Sequence, residues 1–228
     1  MESIINHPWD LSEKQALQLQ KNLASKVVKH NQLNEIQLIA GVDVAYAKES
    51  DKLVAAIVIL DADTLEIIES VTADDNAKFS YIPGLFSFRE LPSLVKAFAK
   101  LQNKPDLIVC DGQGYAHPRR FGLACHLGVL FDIPAIGCGK TRLLGEADTP
   151  GTERGEMTPL IDNNEIIGNV LRTQADVNPI YVSIGHRITL ATACEWVLKL
   201  SPKYRLPETT RMADQLVRKE ICLINHRE

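Results

Sequence analysis

Two aspartates stand in apolar surroundings, where an unpaired carboxylate destabilises a fold. Asp43 lies inside the apolar run IAGVDVAY (39–46), and Asp111 ends the run LIVCD (107–111) just before Gly-Gln-Gly. A carboxylate in such a segment is costly to bury unless it is paired or binds a metal. Mg²⁺ is commonly held by one or two carboxylates and keeps several waters. If the two runs are neighbouring strands, the aspartates predict a site for one divalent cation.

Structural roles compete with this interpretation. Asp111 alone could stabilise the glycine-rich turn that follows it, and Asp43 alone could pair with a buried arginine. The two together favour the metal, because sites in open α/β sheets form where strands end. Glu90, in the run GLFSFREL, is a third candidate, although a glutamate on a helix is normally solvated. Asp214 is a fourth candidate, and its spacing on the last predicted helix favours plain surface.

Lys140 belongs to the run Gly139-Lys140-Thr141, which matches the end of a phosphate-binding P-loop. The full pattern also needs a glycine where this chain has Pro134. Proline lacks the backbone N–H that would cradle a phosphate, so we expect no nucleotide cofactor. Lys140 therefore needs a different role.

Apolar periodicity predicts a mixed sheet flanked by helices. Strands are expected at 38–46, 53–61, 65–74, 106–114, 134–140, 169–173 and 179–185, and helices at 12–30, 85–102, 119–131, 190–200 and 210–223. The first three strands suggest an antiparallel meander, and the strand–helix–strand order from 106 to 140 indicates parallel strands. Ser12 is the expected N-cap of the first helix, and Pro92 is expected to kink or interrupt the second. Residues 145–169 are polar and are expected to be irregular before the last two strands. The prediction is one α/β domain over residues 1–228.

The composition is typical of a globular cytoplasmic protein. The 228 residues carry a net charge of −4 and are 45% hydrophobic, which suits a sizeable core and argues against indiscriminate coating of nucleic acid. We find no secretory signal and no apolar run that could span a membrane. The five cysteines form no C-x-x-C pair and are expected to be reduced, mainly in the core. The protein is expected to be a monomer.

Four stretches resemble one protein family and occur in the same order. They are GVDVAY (41–46), SYIPGLFSFRE (80–90), VCDGQGYAHPRRFG (109–122) and YRLPETTRMAD (204–214). The chain resembles endonuclease V, the deoxyinosine 3′ endonuclease of DNA repair, over essentially its whole length. The long run DGQG-x-AHPR is the most specific part of this resemblance.

The resemblance implies an RNase H-like fold, dependence on Mg²⁺ (or Mn²⁺), and DNA with deaminated bases as the partner. It implies hydrolysis of the second phosphodiester bond 3′ to a deaminated purine, with the base left in place. Two other functions stay open: a nuclease of the same fold acting on inosine-containing RNA, and a protein that binds inosine lesions without cutting them. The carboxylates and Lys140 argue against pure binding, which needs no metal.

The resemblance also assigns roles to the candidate residues. Asp43 and Asp111 match metal-binding aspartates, and Glu90 matches a third active-site carboxylate. Lys140 matches a lysine that approaches the scissile phosphate. Asp214 falls where some family members carry His and others Asp, so it is the candidate additional metal ligand.

The expected DNA contacts centre on the loop before Glu90 and the turn after Asp111. Tyr81 matches a wedge tyrosine, which can fill the stack that an extruded base leaves. Backbone groups near Gly84 and Gly112 could read the hypoxanthine edge, although plain turns explain both glycines equally well. The other expected contacts are Pro83, Arg89, His117 and Arg119. Basic residues that could track phosphates, or could be scattered surface charges, are Arg119, Arg120, Arg142, Lys203, Arg205 and Arg211.

Overall fold

The computed structural model describes residues 1–48 and 50–225. Within them the strands are β1 (Leu38–Tyr46), β2 (Lys52–Asp61), β3 (Ile67–Asn76), β4 (Leu107–Asp111), β5 (Ala135–Gly139), β6 (Met157–Asp162), β7 (Glu165–Leu171) and β8 (Ile180–His186). The helices are α1 (Glu13–Ala24), α2 (Phe86–Lys100), α3 (Leu123–Phe131), α4 (Leu190–Lys199) and α5 (Glu208–Asn225). The strands form a single sheet in the order β3-β2-β1-β4-β5-β8-β7-β6.

The sheet is mixed, as the sequence predicts. β1, β2 and β3 form the antiparallel meander, whereas β4 is parallel to both β1 and β5. β8 returns antiparallel to β5, and β7 and β6 extend the sheet in antiparallel fashion. The carboxyl ends of β1, β4 and β5 therefore lie at one edge, the usual place for a site in such a sheet.

Helices cover both faces of the sheet. α2 and α3 pack on the face that carries Ala40 and Val42, through residues such as Leu94 and Leu127. α4 packs on the opposite face with Ile39, and α5 lies over β1 and β2 on that side. Because both faces are buried, the central strands are almost continuously apolar. A carboxylate on one of these strands is therefore exceptional.

α1 and α3 are markedly shorter than predicted, whereas α2 and α4 differ only at their ends. α1 begins after the predicted N-cap Ser12, whose capping box is present, but it already ends at Ala24. α3 starts only at Leu123, because the preceding residues 119–122 form a turn in which Arg120 has a φ of 54°. That turn reaches the functional edge of the sheet, so the shift bears on the site.

The prediction that residues 145–169 are irregular was wrong. β6 and much of β7 lie there and pair antiparallel at the edge of the sheet. β6 contains Pro159, which an edge strand tolerates because its outer side has no continuous ladder and pairs through an isolated bridge between Ile161 and Glu146. An interruption at Pro92 was also wrong, since α2 is continuous through that residue.

Burial of the cysteines follows the prediction for Cys110, Cys125, Cys138 and Cys194, whereas Cys222 is exposed on α5. Among the helices of the described residues, none has the length and apolar character needed to cross a membrane.

Candidate active site and nucleic-acid interface

Asp43 and Asp111 occupy adjacent positions where the pairing of β1 with β4 ends, Asp43 within β1 and Asp111 as the last residue of β4. The two strands pair in parallel up to Val42 and Cys110, and the aspartates are the next residue on each strand. Both side chains are partly buried. The topology therefore brings these two carboxylates to the same point of the sheet edge.

The carboxylates at this edge repel one another. Burial, then the charge of Asp111 and to a smaller extent that of Asp214, raise the pKa of Asp43 to about 7. Burial and then Asp43 also raise the pKa of Glu90 well above its ordinary value. In both groups burial is the larger cause and the neighbouring negative charge adds to it. Lys140 offsets part of this charge.

Glu90 reaches the cluster from α2, on the face of the sheet opposite to α5. It is 5% exposed, so the usual solvated position of a helical glutamate does not apply. The hydroxyl of Tyr46 donates a hydrogen bond to Glu90 Oε1 at 3.2 Å. Arg89, the next residue along the chain, lies with its guanidinium 5.1 Å from the centre of the Tyr46 ring.

Lys140 follows β5 and forms an ion pair with Asp111. Burial lowers its pKa, but the Asp111 carboxylate outweighs that effect and the net shift is upward. The backbone at Lys140 and at the next residue is held by two side chains. Arg205 Nη2 donates to Lys140 O at 2.8 Å, and Gln113 Nε2 donates to Thr141 O at 3.1 Å. The ammonium is therefore charged and its loop is anchored.

Asp214 lies closer to the cluster than its helical spacing suggested. α5 packs tightly on β1, because Gly41 has no side chain and leaves room for the backbone of Thr209. Asp214 is half-buried on this helix and its charge raises the pKa of Asp43. The expectation of plain surface is not met, although Arg218 still donates to Asp214 Oδ1 from the solvent side at 3.0 Å.

The donor set suits a divalent cation. Within the described residues no group of three or more His, Cys, Asp or Glu side chains is arranged to hold a metal. Mg²⁺ does not need such a group, since it is held by one or two carboxylates and water. Burial and then the charge of Asp111 raise the pKa of Asp43, and a cation held between Asp43 and Asp111 would favour the ionised form of both carboxylates.

A cavity of about 410 Å³ opens beside the carboxylates. Its volume falls within the range of small-molecule sites. It is lined by Tyr81, Pro83, Gly84, Phe86, Ser87, Asp111, Gly112, Gln113, His117, Gly122, Leu123, Gly139, Lys140, Thr141, Arg142 and Leu143. Asp111 and Lys140 therefore belong both to the carboxylate cluster and to the cavity wall.

Tyr81 stands out from the loop at the cavity rim. It is 69% exposed, and its ring meets Phe86 edge-on with the ring centres 6.3 Å apart. The loop closes through a hydrogen bond from Leu85 N to Ile82 O at 2.9 Å. An aromatic ring presented in this way is free to stack on a base.

Three predicted DNA contacts direct polar groups into the protein. His117 is buried, and burial together with Arg119 lowers its pKa to about 4, so the imidazole is neutral near physiological pH. Arg119 Nη2 donates to Gly84 O at 2.6 Å. Arg89 Nη1 donates to Phe79 O at 2.6 Å. These side chains hold the loop before α2, and a phosphate contact from any of them stays a prediction.

The other basic residues differ in how far they are available to DNA. Arg120 is paired with Asp162 and Glu165, each at 2.8 Å. Arg211 pairs with Glu208. Arg142 is exposed at the cavity rim and suits a phosphate contact.

Two glutamines were missed by the sequence reasoning. Gln20 is buried on α1. Its position could have been predicted, because it interrupts the apolar stripe formed by Ala16 and Leu23. Gln113 lines the cavity, and its Oε1 is buried with no hydrogen-bond partner in the described part of the chain. It stands in the glycine-rich turn, where the sequence pattern drew attention to the glycines instead.

Comparison with known proteins gives consistent matches. The Endonuclease V family model matches residues 21–215. An Endonuclease V from Nostoc sp. is 48% identical over 211 residues, which cover 92% of this chain and 96% of that protein. The crystal structure of the Endonuclease V from Streptomyces avermitilis superposes with a TM-score of 0.92 at 44% identity, covering 96% of this chain and 97% of that one.

Two more distant structures add the fold and a ligand. Aquifex aeolicus Argonaute matches with a TM-score of 0.51 at 14% identity, over 82% of this chain and 29% of its own, which supports the RNase H-like fold alone. Ciona intestinalis Endonuclease V matches with a TM-score of 0.81 at 27% identity, over 91% of this chain and 97% of that chain. It was crystallised with a 24mer DNA containing an inosine followed by a ribo-adenosine. By family model, sequence and structure, this chain belongs to the endonuclease V family of deoxyribonucleases.

Proposed function

We propose that the protein hydrolyses the second phosphodiester bond 3′ to a deoxyinosine in DNA, with Mg²⁺ as the cofactor and with the base left in place. The observation that carries the proposal is the junction of two sites. Asp111 and Lys140 belong both to the carboxylate cluster and to the wall of the adjacent cavity. When a base is held in the cavity, the DNA strand that carries it therefore lies next to the carboxylates and Lys140.

The chemistry requires charge at the phosphate. Phosphodiester hydrolysis builds negative charge on phosphoryl oxygens, and the Lys140 ammonium offsets it from its anchored loop. Asp43 and Asp111 would hold the cation, which supplies Lewis-acid charge and acidifies a water. Glu90, held by Tyr46, keeps a carboxyl group beside this pair.

Recognition requires an extruded base. Removing a purine from the stack costs a few kcal/mol, and Tyr81 can offset part of this by occupying the vacated space. Hypoxanthine carries O6 where adenine carries an amino group, so backbone N–H and C=O groups near Gly84 and Gly112 can distinguish the two. Both glycines line the cavity, and their small size lets a base approach the backbone closely.

Inosine-containing RNA is the second candidate substrate. The Ciona relative was crystallised with a strand in which a ribo-adenosine follows the inosine, so a 2′-hydroxyl fits at that position in that protein. Binding without cutting is the third candidate, and the cluster of Asp43, Asp111 and Lys140 argues against it.

The test uses a labelled duplex with one deoxyinosine, the same duplex with adenine, and a matched inosine RNA. Each is incubated with the protein in Mg²⁺ and again in EDTA. We expect a nick directly after the 3′ neighbour of the lesion, at the second phosphodiester bond, only with inosine and only with Mg²⁺. A retarded but uncut duplex would support binding alone. Preferential cutting of the RNA would identify RNA as the substrate and leave the active-site assignment unchanged.

A further inference from the structure

Gln20 does not line the cavity, yet it joins two segments that do. It lies on α1 and is 1% exposed. Its Nε2 donates to Gly84 O and to Phe121 O, at 2.9 Å each, and its Oε1 accepts from Nε of Arg119. Both amide hydrogens and the amide oxygen are thus used. A fully satisfied buried network of this kind holds its partners in one arrangement.

The two carbonyl groups belong to different parts of the cavity wall. Gly84 ends the loop that carries Tyr81, and Phe121 directly precedes Gly122, the last residue of the turn before α3. Gly84 and Gly122 both line the cavity. One side chain on α1 therefore sets the separation between the Tyr81 loop and the 119–122 turn.

Arg119 completes the connection. Its Nη2 also donates to Gly84 O, at 2.6 Å, so that carbonyl accepts from two side chains. A Cβ at position 84 would lie 2.5 Å from this Nη2, and the φ of 79° disfavours any residue other than glycine. The loop thus lies directly against the Arg119 guanidinium, with no room for a side chain at position 84.

We propose that Gln20 is a positioning residue for recognition of the deaminated base, acting through Gly84 and Phe121. It keeps the backbone groups of the cavity wall at the spacing that the hypoxanthine edge requires. This inference rests on the proposed function of the same cavity. Loss of a group that positions the binding surface weakens binding without removing a group that does chemistry, so loss of this connection is measurable as a rise in KM.

The test is steady-state cutting of the deoxyinosine duplex by the full-length protein with Mg²⁺. Gln20→Met keeps the length of the side chain and removes all three hydrogen bonds. We expect KM to rise by about 10-fold, because Phe121 O loses the Gln20 donor and Gly84 O loses one of its two donors, while kcat stays within about threefold. A merely structural role would lower kcat with the folded fraction and leave KM unchanged, and that result would overturn the inference.

Two further variants control the experiment. Gln20→Glu keeps the acceptor for Arg119 but removes the Nε2 donors, so it should also raise KM. This variant provides the test if Gln20→Met does not fold. Gln18→Met, at an exposed position of the same helix, should behave as the wild type. If the wild-type protein leaves the duplex uncut, the proposed function fails. If the wild type cuts and Gln20→Glu keeps its KM, only the inference about Gln20 fails.

Discussion

The carboxylate cluster and the recognition cavity share Asp111 and Lys140, yet their polar groups are satisfied in opposite ways. In the cluster, burial and mutual repulsion raise the pKa of Asp43 to about 7. Around the cavity, Gln20 and Arg119 donate hydrogen bonds to backbone carbonyl groups and hold the wall in place. In the cluster, Lys140 offsets only part of the negative charge, whereas Gln20 and Arg119 join two parts of the cavity wall through hydrogen bonds within the chain.

This difference predicts opposite responses to substitution. Removing a metal-binding carboxylate should abolish chemistry, and removing Asp43, which burial and repulsion destabilise in its charged form, should also stabilise the fold. Removing a group of the cavity wall should weaken recognition and leave the metal site intact.

The largest effect is expected from Asp43→Asn and Asp111→Asn. Loss of the cation's contribution, several kcal/mol, corresponds to cutting slower by about 10³-fold or more. The folded-state pKa of Asp43 is raised, so stability from its protonated form is present at low pH and is lost as the pH rises through about 7. In EDTA at alkaline pH, Asp43→Asn should therefore unfold at a higher Tm than the wild type.

Adding Mg²⁺ gives an independent measurement of the same variants. It should raise the Tm of the wild type and not that of Asp43→Asn, because ligands that bind only the folded state stabilise it. Asp74→Asn, an exposed aspartate on β3, is the matched control and should respond as the wild type. An equal Mg²⁺ response in all three proteins would remove Asp43 from the metal site.

Lys140→Met should lower kcat by about 10²–10³-fold, the usual effect of losing a group that stabilises transition-state charge. KM should change little. The ion pair with Asp111 is lost, so the variant should also have a lower Tm than the wild type in EDTA. Lys140→Arg keeps the charge and should retain part of the rate. Full activity of Lys140→Met in single-turnover assays would contradict the assigned role.

Tyr81→Ala should weaken binding of the deoxyinosine duplex by about 10-fold, because a stacking contact with a base contributes ~1–3 kcal/mol. The ring is 69% exposed, so the Tm should not change. Tyr81→Phe should keep the affinity. Ile67→Ala, an exposed apolar residue on β3, serves as the control. Equal affinity of Tyr81→Ala and the wild type in a binding titration would make Tyr81 an ordinary loop residue.

Asp214→Asn should have a smaller effect on cutting, below about tenfold, because its carboxylate is shared with Arg218 and acts on Asp43 through charge. Since it raises the pKa of Asp43, and Asp43 must be ionised to hold the cation, its removal should move the acid limb of the pH–rate profile to lower pH. A loss as large as that of Asp43→Asn would instead make Asp214 a principal metal ligand.

The smallest effect concerns stability on the cavity side. His126 is buried between Ser87 and His7, with Ser87 Oγ 3.0 Å from His126 Nδ1 and His7 Nε2 2.9 Å from His126 Nε2. Burial and then His7 lower its pKa well below the ordinary value. The unfolded state therefore binds more protons, and stability should fall as the pH drops below about 6.5.

His126→Gln should flatten this dependence, which thermal unfolding at several pH values measures. The expected difference in Tm is a few degrees, roughly 2–4 °C per kcal/mol for a chain of this size. A pH dependence identical to that of the wild type would place its origin in other groups.

The sequence predicted the central strands well because both of their faces are buried. β1 occupies the predicted range, residues 38–46, and β2 and β5 deviate only at their ends. β6 was missed because an edge strand needs neither continuous apolar character nor a complete ladder, so its sequence looks like a loop. The end of α1 was misplaced because packing, rather than helix propensity, decides where a helix stops.

Functional residues were also easier to predict on strands than on helices. Asp43 and Asp111 stood out because a carboxylate is rare in a buried strand. Glu90 and Asp214 could not be placed from spacing, since either face of their helices could have met the sheet. Gln20 went unnoticed because a single glutamine in an amphipathic helix gives no sign of the carbonyl groups it meets far along the chain.

The sequence by itself determined the class of the fold, the two strand-borne aspartates and the family, because these depend on local apolar pattern and on contiguous motifs. Only the tertiary structure decided that Glu90 is buried, that Arg119 points inward and that Gln20 joins two walls of the cavity. The physical reason is that burial and hydrogen-bond partners depend on segments distant in the chain, which meet only after the sheet and its helices have packed.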